Sequence, residues 1–205
     1  SLGVVEKGQL VETDRSGLVS GFVGQTALKV MEVADKATGG VLLIDEAYAL
    51  ARGGENDFGR EAIDTIVKVI EDRRDELVVI AAGYPDEMAD FIGANPGLAS
   101  RFPKTIFFPD YDDDELWQIF VDQGKKAGYT PDADAEAKVR AWFASVPRDK
   151  GFGNGRLARN LFEDAVARQA SRIVAIESPT DEQLTALTAS DIAEPGQGPR
   201  HSNTV

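Results

Sequence analysis

Residues 39–50 read GGVLLIDEAYAL, in which four apolar residues, Val41 to Ile44, end abruptly in two acids, Asp45 and Glu46. A short, unbroken apolar run of this kind is a strand driven into a core. Similar β-rich runs stand around it: QLVET at 9–13, LVVIAAG at 77–83 and TIFFP at 105–109. Helical patterns separate them. From Gly59 to Asp72, Ile63, Ile66, Val67 and Ile70 fall at i, i+3, i+4 and i+7, which is one apolar face. Pro85 suits the first turn of a short helix carrying Met88, Phe91 and Ile92. Strands alternating with helices predict βαβ units and a parallel sheet. Ligands of such sheets sit beyond the carboxyl ends of the strands, so acids directly after Ile44 fall on the binding edge. Phosphoryl transfer needs one carboxylate to hold a magnesium shell and another group to activate the attacking water, and Asp45 and Glu46 offer both at adjacent positions. The competing structural reading is that the pair only ends a strand and caps the next element.

The texture changes near residue 111. DDDELWQIFVDQGKKAG, DADAEAKVRAWFASV and GNGRLARNLFEDAVARQASRIVAI all read as helices, the first opening on acids and closing on Lys125, Lys126 and a glycine. The expected organisation is an α/β core over residues 1–110, an all-helical unit over 111–192, and a disordered tail over 193–205, whose EPGQGPRHSNTV is rich in Pro, Gly and Ser. With 205 residues, 42% of them hydrophobic, the chain can bury a sizeable core. Its 22 Lys and Arg against 35 Asp and Glu, a net charge of −13, would repel a nucleic-acid backbone over most of the surface and favour a protein partner or a locally held small ligand. There is no cysteine, and the single histidine, His201, lies in the polar tail, which excludes thiol nucleophiles, histidine triads and thiolate metal sites. No apolar segment reaches the roughly 20 residues of a membrane span, and the N-terminus lacks a leader pattern, so the expected location is cytoplasmic.

The run VLLIDEA resembles the Walker B motif of AAA+ ATPases. The wider stretch from Gly39 to Tyr84, followed by NPGLASRFPKTIFFPDY and FGNGRLARNLFEDAVARQASR, is similar to the subgroup holding the red-type rubisco activases, the related sporulation ATPases and the EccA-like ATPases of type VII secretion. The resemblance covers roughly residues 2–192. It implies a three-layer P-loop NTPase-like parallel sheet with a helical lid, binding ATP and magnesium and working as a homo-oligomeric ring, a hexamer at full length, on a protein client. By the same resemblance Asp45 orients the water shell of magnesium and Glu46 activates the attacking water. Arg101, in SRF, matches the arginine finger inserted into a neighbouring subunit's site, and a guanidinium placed there is worth about 10³ to 10⁵ in rate. Arg156, in GNGR, matches the sensor 2 arginine of the lid, with Arg159 one turn later as the alternative. Phe22, Val23 and Gly24 stand at the position of the substrate-gripping pore loop.

Two departures stand out. The polar sensor at the end of the fourth strand, often asparagine, is replaced by Gly83 and Tyr84, whose hydroxyl is the remaining candidate. No G-x-x-x-x-G-K-[ST] occurs anywhere; ARGGEND and KGFGNGR lack the following Lys-Ser or Lys-Thr. In the family that phosphate loop follows a first strand lying centrally in sheet order 5-1-4-3-2, so strands two to five are expected here without the middle one. Either the chain is a fragment, which its start at SLGVVEKGQ without Met favours, or it is a natural short form. The expectation is a chain that alone binds ATP poorly and hydrolyses almost none. A non-catalytic assembly or scaffold module is the alternative of a different class. A helicase is opposed by the length and the negative charge.

Overall fold

β2 (Val41–Ile44) is the middle strand of a three-stranded parallel sheet, flanked by β1 (Leu10–Thr13) and β3 (Val78–Ala81) with Leu10 opposite Val41 and Val41 opposite Val78. The computed structural model describes residues 6–53 and 57–196, in two units, one ending at Phe107 and the other beginning at Phe108. In the first unit β1 leads through α1 (Arg15–Leu18) and α2 (Thr26–Ala37) into β2. A 3₁₀ turn (Ala47–Ala51) and α3 (Gly59–Asp72) lead to β3, and α4 (Pro85–Gly93) and α5 (Pro96–Arg101) follow. Leu42 and Ile44 are fully buried and Val41 and Leu43 half-buried, so β2 is covered on both faces.

α3 has the bounds its periodicity predicts. Its deepest row is Ala62, Ile63, Ile66 and Val69, with Val67 and Ile70 only partly covered, so the helix is rotated slightly from the expected face. Pro85 occupies the first turn of α4, as expected, and that helix buries Phe91.

TIFFP is not a strand. Residues 105–109 are irregular, and Ile106, Phe107 and Phe108 are 64–84% exposed. A strand needs a ladder partner. β3 pairs with β2, and no segment among the described residues pairs with its other edge. In sheet order 5-1-4-3-2 a fifth strand leans on the first, not the fourth, and the observed order β1-β2-β3 reproduces the 2-3-4 portion.

The second unit packs α6 (Asp113–Ala127), α7 (Ala133–Ser145) and α8 (Asn154–Val174) around Leu116, Phe120, Trp142, Phe143 and Leu161. α6 begins with a reciprocal capping box between Asp112 and Glu115 and ends at Gly128, whose φ of 80° needs a residue without a Cβ. The unit is helical but not purely so. After the short α9 (Asp181–Thr185), β5 (Ala186–Leu187) pairs in parallel with β4 (Thr130–Pro131). The expected tail also starts too early, because Ile192 and Ala193 are buried in this core and Lys138 Nζ holds Glu194 at 2.7 Å. Packed apolar side chains carry Ile192 and Ala193 into the core despite the Pro/Gly content that follows. Residues 197–205, with His201, lie outside the described residues. No helix among the described residues is long and apolar enough to cross a membrane.

Asp191 anchors that last segment. Arg172 Nε and Nη2 each donate to its carboxylate at 2.8 Å, and the Thr188 backbone N–H and hydroxyl add 2.8 and 2.9 Å bonds. Burial pushes the Asp191 pKa up, but the Arg172 and Thr188 hydrogen bonds outweigh it and leave the carboxyl below its ordinary value. The stabilisation is therefore complete above the usual aspartate value of about 3.9 and is lost as pH falls through the lower folded value. Asp191→Asn should lower unfolding free energy at pH 7 by about 2 kcal/mol, less than for a fully enclosed pair because Arg172 is 27% exposed. In denaturant titrations the gap to wild type should narrow on acidification below that range; a gap independent of pH would rule out the charge pairing as its cause.

Candidate functional site

The carboxyl ends of the three strands are stitched together at the two acids. Asp45 N–H donates to Thr13 O at 2.8 Å, Ala82 N–H to Ile44 O at 2.9 Å, and Ala47 N–H to Ala82 O at 3.0 Å. Asp45 and Glu46 are thereby held, exposed, at the edge predicted for them. Glu46 has φ 46° and ψ 43°, a left-handed conformation that costs a non-glycine residue about 1–2 kcal/mol. Its N–H donates to Asp45 Oδ1 at 3.0 Å and its carbonyl accepts from Ala49 N–H at 2.8 Å, so the surroundings enforce the strain. Strain of this kind collects where a side chain must be aimed.

Sequence reasoning missed Tyr48, two residues after Glu46. Its ring is buried, with the Arg52 guanidinium 4.3 Å from its centroid and the Tyr84 ring 6.4 Å away. Burial raises the Tyr48 pKa and the neighbouring Glu46 carboxylate raises it further, against a lowering by Arg52, so the hydroxyl stays protonated beside Glu46. The same ring accounts for Gly83. A Cβ there would lie 2.7 Å from Tyr48 Cδ1 and 2.8 Å from Met88 Sδ, so the position sought for a polar sensor has no room for one. Tyr84 is half-exposed at the start of α4. The aromatic in DEAYAL was the available signal for Tyr48; nothing in the sequence shows that it excludes a side chain at 83.

A second missed contact frames the edge. Arg15 Nη2 reaches both carboxylate oxygens of Asp57 at 2.7 Å, and its Nη1 donates to Ala49 O at 2.8 Å. Asp57 also accepts from Gly59 N–H at 2.6 Å, and Arg15 first, then this bond, holds its carboxyl below the ordinary value. The end of β1, the 3₁₀ turn and the start of α3 are joined by one guanidinium.

Arg101 does not join Asp45 and Glu46. It ends α5 and lies against the far end of α3, with Nη2 3.0 Å from Glu71. The start of α3 is tied to the sheet edge, and Glu71 is twelve residues along it, about 18 Å at helical rise. Phe22 and Val23 project into solvent, 73% and 86% exposed, between α1 and α2, beside Gly24 at φ 74°. Ser20 N–H to Thr26 Oγ1, at 3.1 Å, closes the base of this loop. Arg156 and Arg159 are exposed in the first turns of α8, with no side-chain partner among the described residues. No group of three or more His, Cys, Asp or Glu able to cage a metal occurs among the described residues.

If Glu46 is strained as its backbone implies, Glu46→Gly should raise unfolding free energy by about 0.5–1 kcal/mol after the entropy of glycine is counted, whereas Glu46→Ala, which keeps the Cβ, should give no gain. Equal stabilities for the two variants in urea melts would remove the strain.

The profile described as "ATPase family associated with various cellular activities (AAA)" matches residues 4–110, and that described as "AAA lid domain" matches residues 112–201. Stage V sporulation protein K of Bacillus subtilis is 40% identical over 94% of the chain and 61% of its own length. Protein CbbX of Cereibacter sphaeroides is 43% identical over 93% and 63%, and the chloroplastic ribulose bisphosphate carboxylase/oxygenase activase of Cyanidioschyzon merolae 40% over 93% and 66%. The chain thus spans about three fifths of the length of the curated relatives it matches. Among solved structures, the FIGL-1 AAA domain superposes with a TM-score of 0.62 at 19% identity, covering 88% of this chain and 58% of that one. A mutant of Thermotoga maritima RuvB gives 0.60 at 15% identity, covering 89% and 51%. Both likenesses speak to fold.

Proposed function

The chain belongs to the AAA family of ATPases, and on that premise we propose that it supplies the water-activating acids, the arginine finger and the lid of a ring-forming motor that remodels a protein client. The observation that carries the reading is the exposed Asp45–Glu46 pair, held at the carboxyl edge of a parallel sheet by the ladder of a buried strand. Glu46 takes the proton of the attacking water, and Tyr48 positions its carboxylate. Asp45 is the oxygen donor nearest to hand for the water shell of magnesium; two adjacent exposed carboxylates fit a hard cation that keeps most of its waters. ATP bound with magnesium supplies the γ-phosphoryl group.

Arg101 serves the neighbouring subunit. Its place about 18 Å along α3 from the edge that carries Glu46 is farther than its own side chain reaches, which supports action in trans. Arg156, with Arg159 as the alternative, senses nucleotide from the lid, and the Tyr84 hydroxyl is the polar group left at the end of β3. Phe22, Val23 and Gly24 grip the client; exposed apolar side chains on a glycine-flanked loop suit an unfolded peptide. The assembly is a hexameric ring working in the cytoplasm. Relatives named for sporulation and for rubisco activation leave the client a protein of either kind.

The 205 residues hold no G-x-x-x-x-G-K-[ST], so by themselves they should hydrolyse almost no ATP. ATPase assays and sizing should be run on this chain and on the complete gene product, as wild type, Glu46→Gln and Arg101→Ala. In the complete product Glu46→Gln should bind ATP and keep rings while losing about 10²-fold or more in kcat, and Arg101→Ala should assemble but lose about 10³-fold or more. Equal turnover in all three would sink the assignments. Rapid turnover by the 205 residues would sink the dependence on a phosphate loop. A complete product that assembles and hydrolyses nothing would leave the non-catalytic scaffold, which an absence of the phosphate loop from the whole gene product would also support.

A further inference from the structure

α5 is six residues long, too short to hold its own direction, so whatever aims Arg101 must come from its docking. Asn95 caps it by accepting from Gly97 N–H at 2.7 Å, and the same side chain donates from Nδ2 to Asp64 Oδ1 on α3 at 2.7 Å. One turn on, α3 presents Val67 so closely that a Cβ on Gly97 would lie 2.9 Å from its Cγ1. Leu98 is fully buried. The root of α5 is therefore fixed on α3, and only the Arg101 side chain is left to move.

Two turns beyond Asp64 on the same face of α3, Glu71 Oε2 meets Arg101 Nη2 at 3.0 Å. Arg101 Nη1 is also occupied, donating to Gly97 O at 3.2 Å and Ser100 Oγ at 3.1 Å. The guanidinium is thus turned back on its own chain with its charge already matched. The fit is incomplete, because Arg101 Nε is buried without an acceptor. Glu71 has a second cation at hand: Arg74 Nη1 lies 3.9 Å from its Oε1, and the Glu71 side chain is 53% exposed. Giving up Arg101 would not strand Glu71, and a phosphate oxygen would offer the fork, with its unmet Nε, a better partner than it now has.

We propose that Glu71 parks the finger: it holds Arg101 in cis in the unengaged subunit and releases it when a neighbour's nucleotide competes for the guanidinium, so the ion pair sets the threshold at which assembly switches on hydrolysis. This rests on the finger role proposed for Arg101. The test is ATPase rate against subunit concentration for the complete gene product, as wild type, Glu71→Gln, Arg101→Ala and the double variant. Glu71→Gln should lower the concentration giving half-maximal activity roughly two- to fivefold, the size a half-exposed pair supports, without raising the KM for ATP, even if its melting temperature falls. Salt at about 0.5 M should shrink that difference by screening the pair. A Glu71→Gln curve that is unshifted, shifted to higher concentration or lower at its plateau overturns the parking, since a residue with only a structural role would lose activity. Arg101→Ala should be inactive with either residue at 71. If Arg101→Ala alone keeps full activity, the finger assignment itself falls, an outcome distinct from an inactive Arg101→Ala beside an unshifted Glu71→Gln.

Discussion

The parallel ladder that locks β2 between β1 and β3 is the constraint from which the rest of the first unit follows. The observed register puts Leu42 and Ile44 at the deepest positions of β2, and a shift by one residue would exchange them for the half-buried Val41 and Leu43. That register fixes which residue comes first beyond the sheet. Asp45 leaves the ladder bonded to Thr13 O, and Glu46 is bent into a left-handed turn by bonds on both sides of it. Apolar burial is thus converted into the placement of two charges at a solvent edge, and the energy that enforces a strained backbone at Glu46 comes from core residues that touch no ligand.

α3 carries the same logic to the other end of the unit. Its first turn is tied to the sheet edge through Arg15 and Asp57, and Asp64, Val67 and Glu71 seat α5 along its outer face. A helix of fourteen residues is a ruler. It keeps Arg101 at a set distance from Glu46, so the two do not meet within one chain.

The elements legible in the sequence are those whose stability is local or set by burial on one face. The bounds of α3, Pro85 at the start of α4 and the acids opening α6 are all readable from period and caps. TIFFP departs from its expected strand because its β propensity is real but the ladder partner is not, and propensity says nothing about partners. Ala193 departs for the opposite reason: its neighbours look like a tail, while its segment is held through Asp191 and the main chain by Arg172 and Lys138, far back in the sequence. At the candidate site, Asp45 and Glu46 are visible as a break in an apolar run, and Arg101 only through resemblance. Asp57 and Glu71 give no warning, since each matters through a residue that only the fold brings near, and the aromatic in DEAYAL marks Tyr48 without showing what its ring excludes at 83.

Tyr48 and Gly83 show how one departure from the family pattern can be closed by another. The ring of Tyr48 fills the space that a side chain at 83 would need, and Met88 closes it from the other side. A side chain could not be placed at 83 without moving Tyr48, and a smaller residue at 48 would take away the protonated hydroxyl beside Glu46. Two tyrosines stand at the end of β3 instead, the half-exposed Tyr84 and the buried Tyr48, whose rings lie 6.4 Å apart. The pair is best understood as a unit: a glycine without a side chain, and an aromatic ring that fills the volume a side chain at 83 would need.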